Sequence, residues 1–429
     1  MKNRIALVGG VRSPMAKAGT ALKDTQADDL GAIIAREALL RSGVAPEEID
    51  EVIIGNVAQP SHAANIARVI ALKAGLPNRV PAFTVHRNCA SGMQAITSAA
   101  EKILLGYGSV YLAGGVESMT NIPLIYPEEF QDFMRSFRKA KTLGQRLKLI
   151  TKFRFSMLKP RIGLMEGLTD PVSGLIMGET AEVLARDFHV TREEQDEFAL
   201  RSHKLATKAQ EEDLFADEIY PVPRAPGYDE LVTEDIGPRP QQSMEALAKL
   251  PPYFDKHNGT VTAGNSSQIT DGAAALVVMS EKEAKRRGIE PLGYLREFAY
   301  GALEAERMGL GPAFATSRLF ERTGAKLSDM EYIEINEAFA AQVIAVEKAF
   351  ASAEFAKKHL ARDTALGEID RDILNSQGGA IALGHPVGMT GARLVIHTLR
   401  ELRRRGKNTG LATLCVQGGQ GAALLLEVA

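Results

Sequence analysis

At 429 residues the chain exceeds what one hydrophobic core usually serves, so two or three packed units are expected. Apolar residues make up 45% of it, charged residues 24%, and the formal net charge is −2. That balance describes a globular protein and excludes a global attraction to nucleic acid or membrane.

The N-terminus, Met1-Lys2-Asn3-Arg4, runs into the apolar Ile5-Ala6-Leu7-Val8, which is too short for a secretory leader. No apolar run reaches membrane-spanning length, so the cytoplasm is the expected compartment. From residue 5 the pattern alternates: a strand over 5–8, a helix over 27–41, a strand over 51–57 and a helix over 64–74. A short apolar segment, 80–85, then hands over to His86-Arg87-Asn88-Cys89-Ala90-Ser91-Gly92-Met93, and helical spacing resumes at Met93, Ile96, Ala100, Ile103 and Leu104. At such a junction the unpaired N–H groups of the helix start favour a thiolate at Cys89, and the small residues after it leave room for a substrate. A lone free cysteine is more often a small buried hydrophobe. A strand over 110–113 follows, closed by Gly114-Gly115. Alternation of this kind predicts α/β layering around a parallel or mixed sheet.

An excursion over 121–250 differs in composition. Residues 135–161 hold ten Lys or Arg and no Asp or Glu, and Phe133, Phe137, Ala140, Leu143, Leu147 and Ile150 keep helical spacing, with Gly144 allowing two short helices instead of one. Thr191-Arg192-Glu193-Glu194 is a capping-box start for a helix over 193–209. Pro221, Pro223, Pro226, Gly227, Pro238 and Pro240 then break the chain up.

The C-terminal part repeats the first theme. Ile49-Asp50-Glu51-Val52-Ile53-Ile54-Gly55 aligns with Met330-Glu331-Tyr332-Ile333-Glu334-Ile335-Asn336, and Ser91-Gly92 with its helix aligns with Thr390-Gly391 and its own. In that register a strand over 411–414 matches 110–113. An internal duplication is predicted, with chemistry at the junction of the copies.

Three further motifs complete the set: Asn336-Glu337-Ala338-Phe339, the run Asn375-Ser376-Gln377-Gly378-Gly379-Ala380-Ile381-Ala382-Leu383-Gly384-His385-Pro386, and Cys415-Val416-Gln417-Gly418-Gly419-Gln420-Gly421. With the Cys89 run they resemble the thiolase family, acyl-CoA acetyltransferases that form or cleave a carbon–carbon bond. The resemblance runs from residue 4 to the C-terminus. It implies a duplicated α/β fold: an N-terminal half over 1–120 plus 251–285, an inserted lid over 121–250 and a C-terminal half over 286–429.

It also implies roles. Cys89 takes the acyl group, His385 takes the proton of Cys89, and Cys415 is the acid/base at the α-carbon. Asn336 holds a water that, with His385, donates to a thioester oxygen. The backbone N–H groups of Cys89 and Gln417 form a second oxyanion site, where Gln417 stands in place of a glycine common in relatives. Ser267 and Met177 are the expected coenzyme A contacts. Acyl-CoA and coenzyme A are substrates, no bound cofactor or metal is expected, and the assembly expected is a homodimer or homotetramer. Taken on the residues alone, Asn336 before Glu337 also reads as a helix N-cap.

The segment 138–147, with the helix behind it, resembles the thiolase β subunit of trifunctional fatty-acid-oxidation complexes, which implies cleavage of 3-ketoacyl-CoA. Such subunits usually carry His at the Asn336 position. The basic stripe over 135–161 is read as a docking surface for an anionic membrane or a hydratase/dehydrogenase α subunit. Two other classes compete. A decarboxylating 3-ketoacyl synthase would place His or Asn at Cys415, and a non-catalytic carrier or structural subunit would lack the reactive set.

Overall fold

Apolar strands covered on both faces read as near-continuous hydrophobic runs, and in a computed structural model, which describes residues 4–429, they build one large mixed sheet. The residues Met1 to Asn3, weighed above as part of a leader, lie outside the described residues. The N-terminal half contributes β1 (Ile5–Arg12), the short β2 (Ala16–Lys17), β3 (Glu51–Gly55), β4 (Ala82–Val85) and β5 (Val110–Ser118). Two small ribbons lie in the excursion: β6 (Leu124–Ile125) with β7 (Arg161–Ile162), and β8 (Val222–Pro223) with β9 (Leu231–Val232). The remaining strands are β10 (Thr270–Ser280), β11 (Gly293–Ala302), β12 (Tyr332–Ile335), β13 (Thr409–Val416) and β14 (Gln420–Glu427).

Strand order is β12-β13-β14-β11-β1-β10-β5-β3-β4, with β2 on β10. The duplication is visible in the pairing. β3 lies parallel to β5, which is antiparallel to β10 and that in turn to β1. Equally, β12 lies parallel to β13, which is antiparallel to β14 and that in turn to β11. β1 and β11 join the halves by antiparallel pairing of Ile5 to Leu7 with Leu295 to Gly293. Only the first half has a full strand beyond, β4; in the second, Leu374 makes a single parallel bridge to Ile333 before the chain turns into the His385 loop.

Side chains alternate between layers with a period of two. Along β10, Ala274, Leu276 and Val278 face an inner core, while Ala273, Ala275, Val277 and Met279 face an outer one under helix Ala27–Ser42. On β14, Ala422, Leu424 and Leu426 face the inner core, and Ala423 and Leu425 face the outer helices Gly311–Thr323 and Ala340–Ala351. Helices Ser91–Leu104 and Val387–Arg405 fill the space between the sheet halves. They touch at their duplicated glycines: a Cβ on Gly92 would lie 2.6 Å from Ala392 N, and one on Gly391 would lie 2.5 Å from Met93 N. This corrects the reading of Ala90, Ser91 and Gly92 as substrate room. All three are buried, and the smallness of Gly92 serves helix-to-helix approach.

A second correction concerns Gly114-Gly115. The pair does not end a strand, since β5 continues to Ser118. A side chain on Gly114 would meet Ala274 O at 2.2 Å, and one on Gly115 would meet Gly388 O at 2.0 Å. The excursion starts its long helix as expected, Thr191 accepting from Glu194 N ahead of Arg192–Glu211. Its basic part folds as two helices, Glu128–Lys139 and Leu143–Ile150. The break falls at Ala140 to Thr142, because Thr142 caps Gln145, and Gly144 lies inside the second helix.

Candidate active site

Four chain segments converge at the mouth of the two inner helices. The first is the turn after β4, where Asn88 takes a left-handed φ of 43° and so swings Cys89 out of strand direction just before the helix. Ser91 Oγ locks this turn by donating to Asn88 O (2.7 Å) and accepting from Arg87 N (2.9 Å). Arg87 stacks on Tyr300, 3.9 Å from guanidinium to ring centroid, and donates to Gln420 (3.1 Å), so the Cys89 turn is bolted to the other half.

The second segment is the turn after β13. Cys415 is the last residue but one of that strand and is buried. Gln417 lies two further on; its carbonyl accepts from Asn88 Nδ2 (3.0 Å), and its N–H, with that of Cys89 itself, is directed at the Cys89 sulfur. Both amide donors expected of the second oxyanion site therefore flank Cys89.

His385 ends the third segment. Gly384 before it has φ 111°, and a Cβ there would lie 2.4 Å from Thr270, so the ring is presented by a backbone only glycine accommodates. Thr390 Oγ1 donates to Pro386 O (2.9 Å), which leaves it to accept from His385 Nδ1–H (2.7 Å). The proton is thus on Nδ1, and Nε2 carries the free lone pair. Asn336, directly after β12, points Nδ2 at that nitrogen from 3.4 Å. Asn336 is no helix cap, since the following helix begins at Ala340 with Phe339 in the capping position. Its Oδ1 is buried without a protein donor.

Charge states follow from burial. His385 is lowered to about 3, first by burial and then by the positive charge of Arg393, so the imidazole is neutral throughout the physiological range. Cys89 is pushed up to about 11, burial outweighing the Gln417 and Cys89 amides. Backbone N–H groups do favour the thiolate, as the sequence reading expected, but burial outweighs them. Cys415 is pushed up further, by burial and by the charge Cys89 would carry, which also places the two sulfurs within electrostatic reach. The site therefore brings together two thiols and a neutral base.

Two cavities meet here. One, of about 630 Å³, is lined by Cys89, Asn88, Gln417, Val57, Ile122 and Val172 among others. The other, of about 470 Å³, contains His385, Ser267, Phe339, Lys17 and Arg239. They share Met119, Leu164, Leu168, Met177 and Val387. Met177 thus sits at the junction, and Ser267 lies on the His385 side, its N–H held by Ala338 O (2.9 Å).

One residue escaped the sequence reading. Glu117, at the end of β5, is fully buried and accepts from Asn56 Nδ2 (3.1 Å) and from Val57 N, Ala58 N and Gly388 N (3.0 Å each). Burial raises it to about 7 against those four donors. It stitches the first half to the start of the helix that follows His385. Glu337 does similar work on the other side, accepting from Ser202 Oγ (2.6 Å), Asn375 Nδ2 (2.9 Å) and Ile381 N (3.3 Å).

Fold and site together define a class: a layered α/β enzyme whose two similar halves each bring one cysteine to a shared site, Cys89 lining the cavity and Cys415 buried near it. The comparisons then name the family. A model described as "Thiolase, N-terminal domain" matches residues 5–282, one described as "Thiolase, C-terminal domain" matches residues 289–428, and the chain belongs to the thiolase family. The 3-ketoacyl-CoA thiolases of Yersinia enterocolitica and Photorhabdus laumondii are 44% and 45% identical over 427 residues, covering 99% of this chain and 97% of theirs. Among solved structures, the acetyl-CoA acetyltransferase of Bacillus anthracis is 40% identical with a TM-score of 0.86, covering 99% of this chain and 98% of its own. The human mitochondrial 3-ketoacyl-CoA thiolase in complex with CoA is 35% identical, also with a TM-score of 0.86, covering 100% and 98%.

Proposed function

We propose that the protein is a 3-ketoacyl-CoA thiolase of fatty-acid β-oxidation, able to run in reverse as an acetyl-CoA C-acetyltransferase. The observation that carries this is that Cys89 and His385 line two connected cavities, with Cys415 buried near Cys89 and Asn336 buried against His385. In the degradative direction the Cys89 sulfur attacks the 3-keto carbon as its proton passes to His385 Nε2. A neutral imidazole beside a neutral thiol suits such a coupled transfer. The C2–C3 bond breaks, and the departing enolate of acetyl-CoA takes its proton from Cys415. His385 returns its proton to the Cys415 thiolate. Free coenzyme A then attacks the acyl group on Cys89, its thiol proton going to His385; as the bond from the acyl carbon to Cys89 breaks, that proton passes to the Cys89 sulfur and acyl-CoA leaves. The Cys89 and Gln417 amides hold the acyl oxygen; protonated His385 and Asn336 serve the thioester oxygen. One such donor is worth about 3–4 kcal/mol of barrier.

In this reading the His385 arm takes coenzyme A, with Ser267 on the pantetheine, Met177 on the pocket wall near the thioester, and Lys17 and Arg239 offering positive charge to its phosphates. The Cys89 arm takes the acyl chain. No cofactor is required, and two free thiols suit the reducing cytoplasm. Residues 121–250 serve as the lid over these arms, between halves formed by 1–120 plus 251–285 and by 286–429. The open edge of β4, beside Cys89, is the surface assigned to a homodimer.

The test is acetoacetyl-CoA plus coenzyme A, followed by loss of enolate absorbance, then the same with longer 3-ketoacyl chains. Turnover supports the reading; a protein that only decarboxylates malonyl thioesters, or binds acyl-CoA without turnover, overturns it.

The basic segment carries a second reading, membrane docking. Leu143, Leu147, Ile150 and Phe155 are exposed. Arg138, Lys139, Lys141, Lys148, Lys152, Arg154 and Lys159 have no ion pair among the described residues. Binding to anionic but not neutral vesicles, sensitive to salt and lost when Arg138, Lys139, Lys141, Arg146 and Lys148 become Gln, is the expected outcome. Absence of binding would remove the membrane and leave a hydratase/dehydrogenase subunit or a positive field for the phosphates of coenzyme A to explain the charge.

A further inference from the structure

The side chain at position 417 reaches away from the chemistry. Gln417 Nε2 donates to Thr169 O (3.2 Å). Among the described residues this is the one hydrogen bond tying residues 122–169 to anything outside 122–177. Its acceptor is well anchored. Thr169 Oγ1 donates to Met165 O (2.8 Å), and the carboxylate of Asp170, next in the chain, accepts from Val172 N (2.9 Å) and Ser173 N (2.8 Å). The segment so held carries Leu164 and Leu168, which stand where the two cavities join and wall the Cys89 cavity as well as the His385 one.

We propose that Gln417 is a specificity-determining residue that latches residues 163–169 down as the wall of the acyl arm. A glycine at this position would keep the N–H and carbonyl that face Cys89 and Asn88 but lose the latch. The same short turn thereby couples the oxyanion site, through its backbone, to the lid, through its side chain. The inference rests on the thiolase reading of the cleft. An acyl chain growing from Cys89 displaces water along Leu164, Leu168, Ile122 and Val172, and each buried methylene is worth about fourfold in affinity. A two-carbon group covers little of that wall, so a loosened wall penalises long chains most.

Gln417→Met keeps the length and removes the donor. The ratio of kcat/KM for 3-ketodecanoyl-CoA to that for acetoacetyl-CoA is expected to fall about threefold to tenfold, the range set by one lost hydrogen bond, with the change in KM. Deuterium uptake over residues 163–169 is expected to rise in the same variant. Equal losses for both substrates confined to kcat, no change in the ratio, or unchanged exchange over 163–169 would overturn the latch. Failure of the thiolase reading looks different, because the unaltered enzyme would then turn over neither substrate.

Discussion

The floor of the cleft and the basic segment above it are built on opposite principles. On the floor, Glu117, Asn336, Glu337 and Asn375 are completely buried, and the two carboxylates are saturated with donors from distant parts of the chain. Across residues 122–169, by contrast, only Ala140 is buried, and one hydrogen bond reaches the halves. The segment is held instead by its own rings: Tyr126 on Phe130 (4.6 Å between centroids), Phe133 on Phe137 (5.9 Å) and Phe153 (5.5 Å), and Phe153 on Phe155 (5.8 Å). The proton transfers proposed for Cys89, His385 and Cys415 would tolerate little misplacement, and an over-determined floor supplies that precision. As a cover, the lid proposed above to admit coenzyme A would need its own cohesion but few bonds to the rest of the molecule.

Breaking the floor should therefore cost far more than disturbing the cover. Cys89→Ser is expected to lower thiolysis by orders of magnitude, because a hydroxyl is a far weaker nucleophile with the same base. Glu117→Gln comes next, since an amide accepts fewer of the four donors and offers an N–H to groups that already donate. Activity is expected to drop at least tenfold, with a stability loss of about 1–3 kcal/mol.

The same variant gives a pH signature. Glu117 titrates at about 7 when folded, against an ordinary 4.5, so the folded state binds more protons between those values. Its contribution to stability falls as pH rises through that window. Denaturant midpoints at pH 5 and pH 8 should differ more for wild type than for Glu117→Gln. Cys89, pushed up to about 11, should be alkylated by iodoacetamide at a rate that still climbs at pH 9.5, past the plateau of an ordinary thiol. On the cover, changing Arg138, Lys139, Lys141, Arg146 and Lys148 to Gln is expected to alter stability by less than about 1 kcal/mol and to leave acetoacetyl-CoA cleavage intact.

The contrast also explains what could be read from letters alone. Cys89, His385, Asn336 and Cys415 were legible because each sits in a long local run, and the helices and strands were legible from their periods. Gly114-Gly115 misled because a glycine pair is a local turn signal, whereas its cause here is the approach of Ala274 and Gly388 from elsewhere in the chain. The net balance at Cys89 was not legible for a related reason: the backbone N–H groups that favour its thiolate belong to a local turn, but the burial that outweighs them is made by the folded chain. Glu117 and the reach of Gln417 to Thr169 had no local signature, since their partners lie far along the sequence.

The division of labour between the two sulfurs is the centre of the account, and Cys415→Ser tests it most directly. Incubated with acetyl-CoA, this variant should accumulate one acetyl group on the peptide carrying Cys89, detected by mass spectrometry, while forming no acetoacetyl-CoA. Acetylation lost together with condensation, or acetoacetyl-CoA formed at the wild-type rate, would contradict the assignment of Cys89 to acyl transfer and Cys415 to the α-proton.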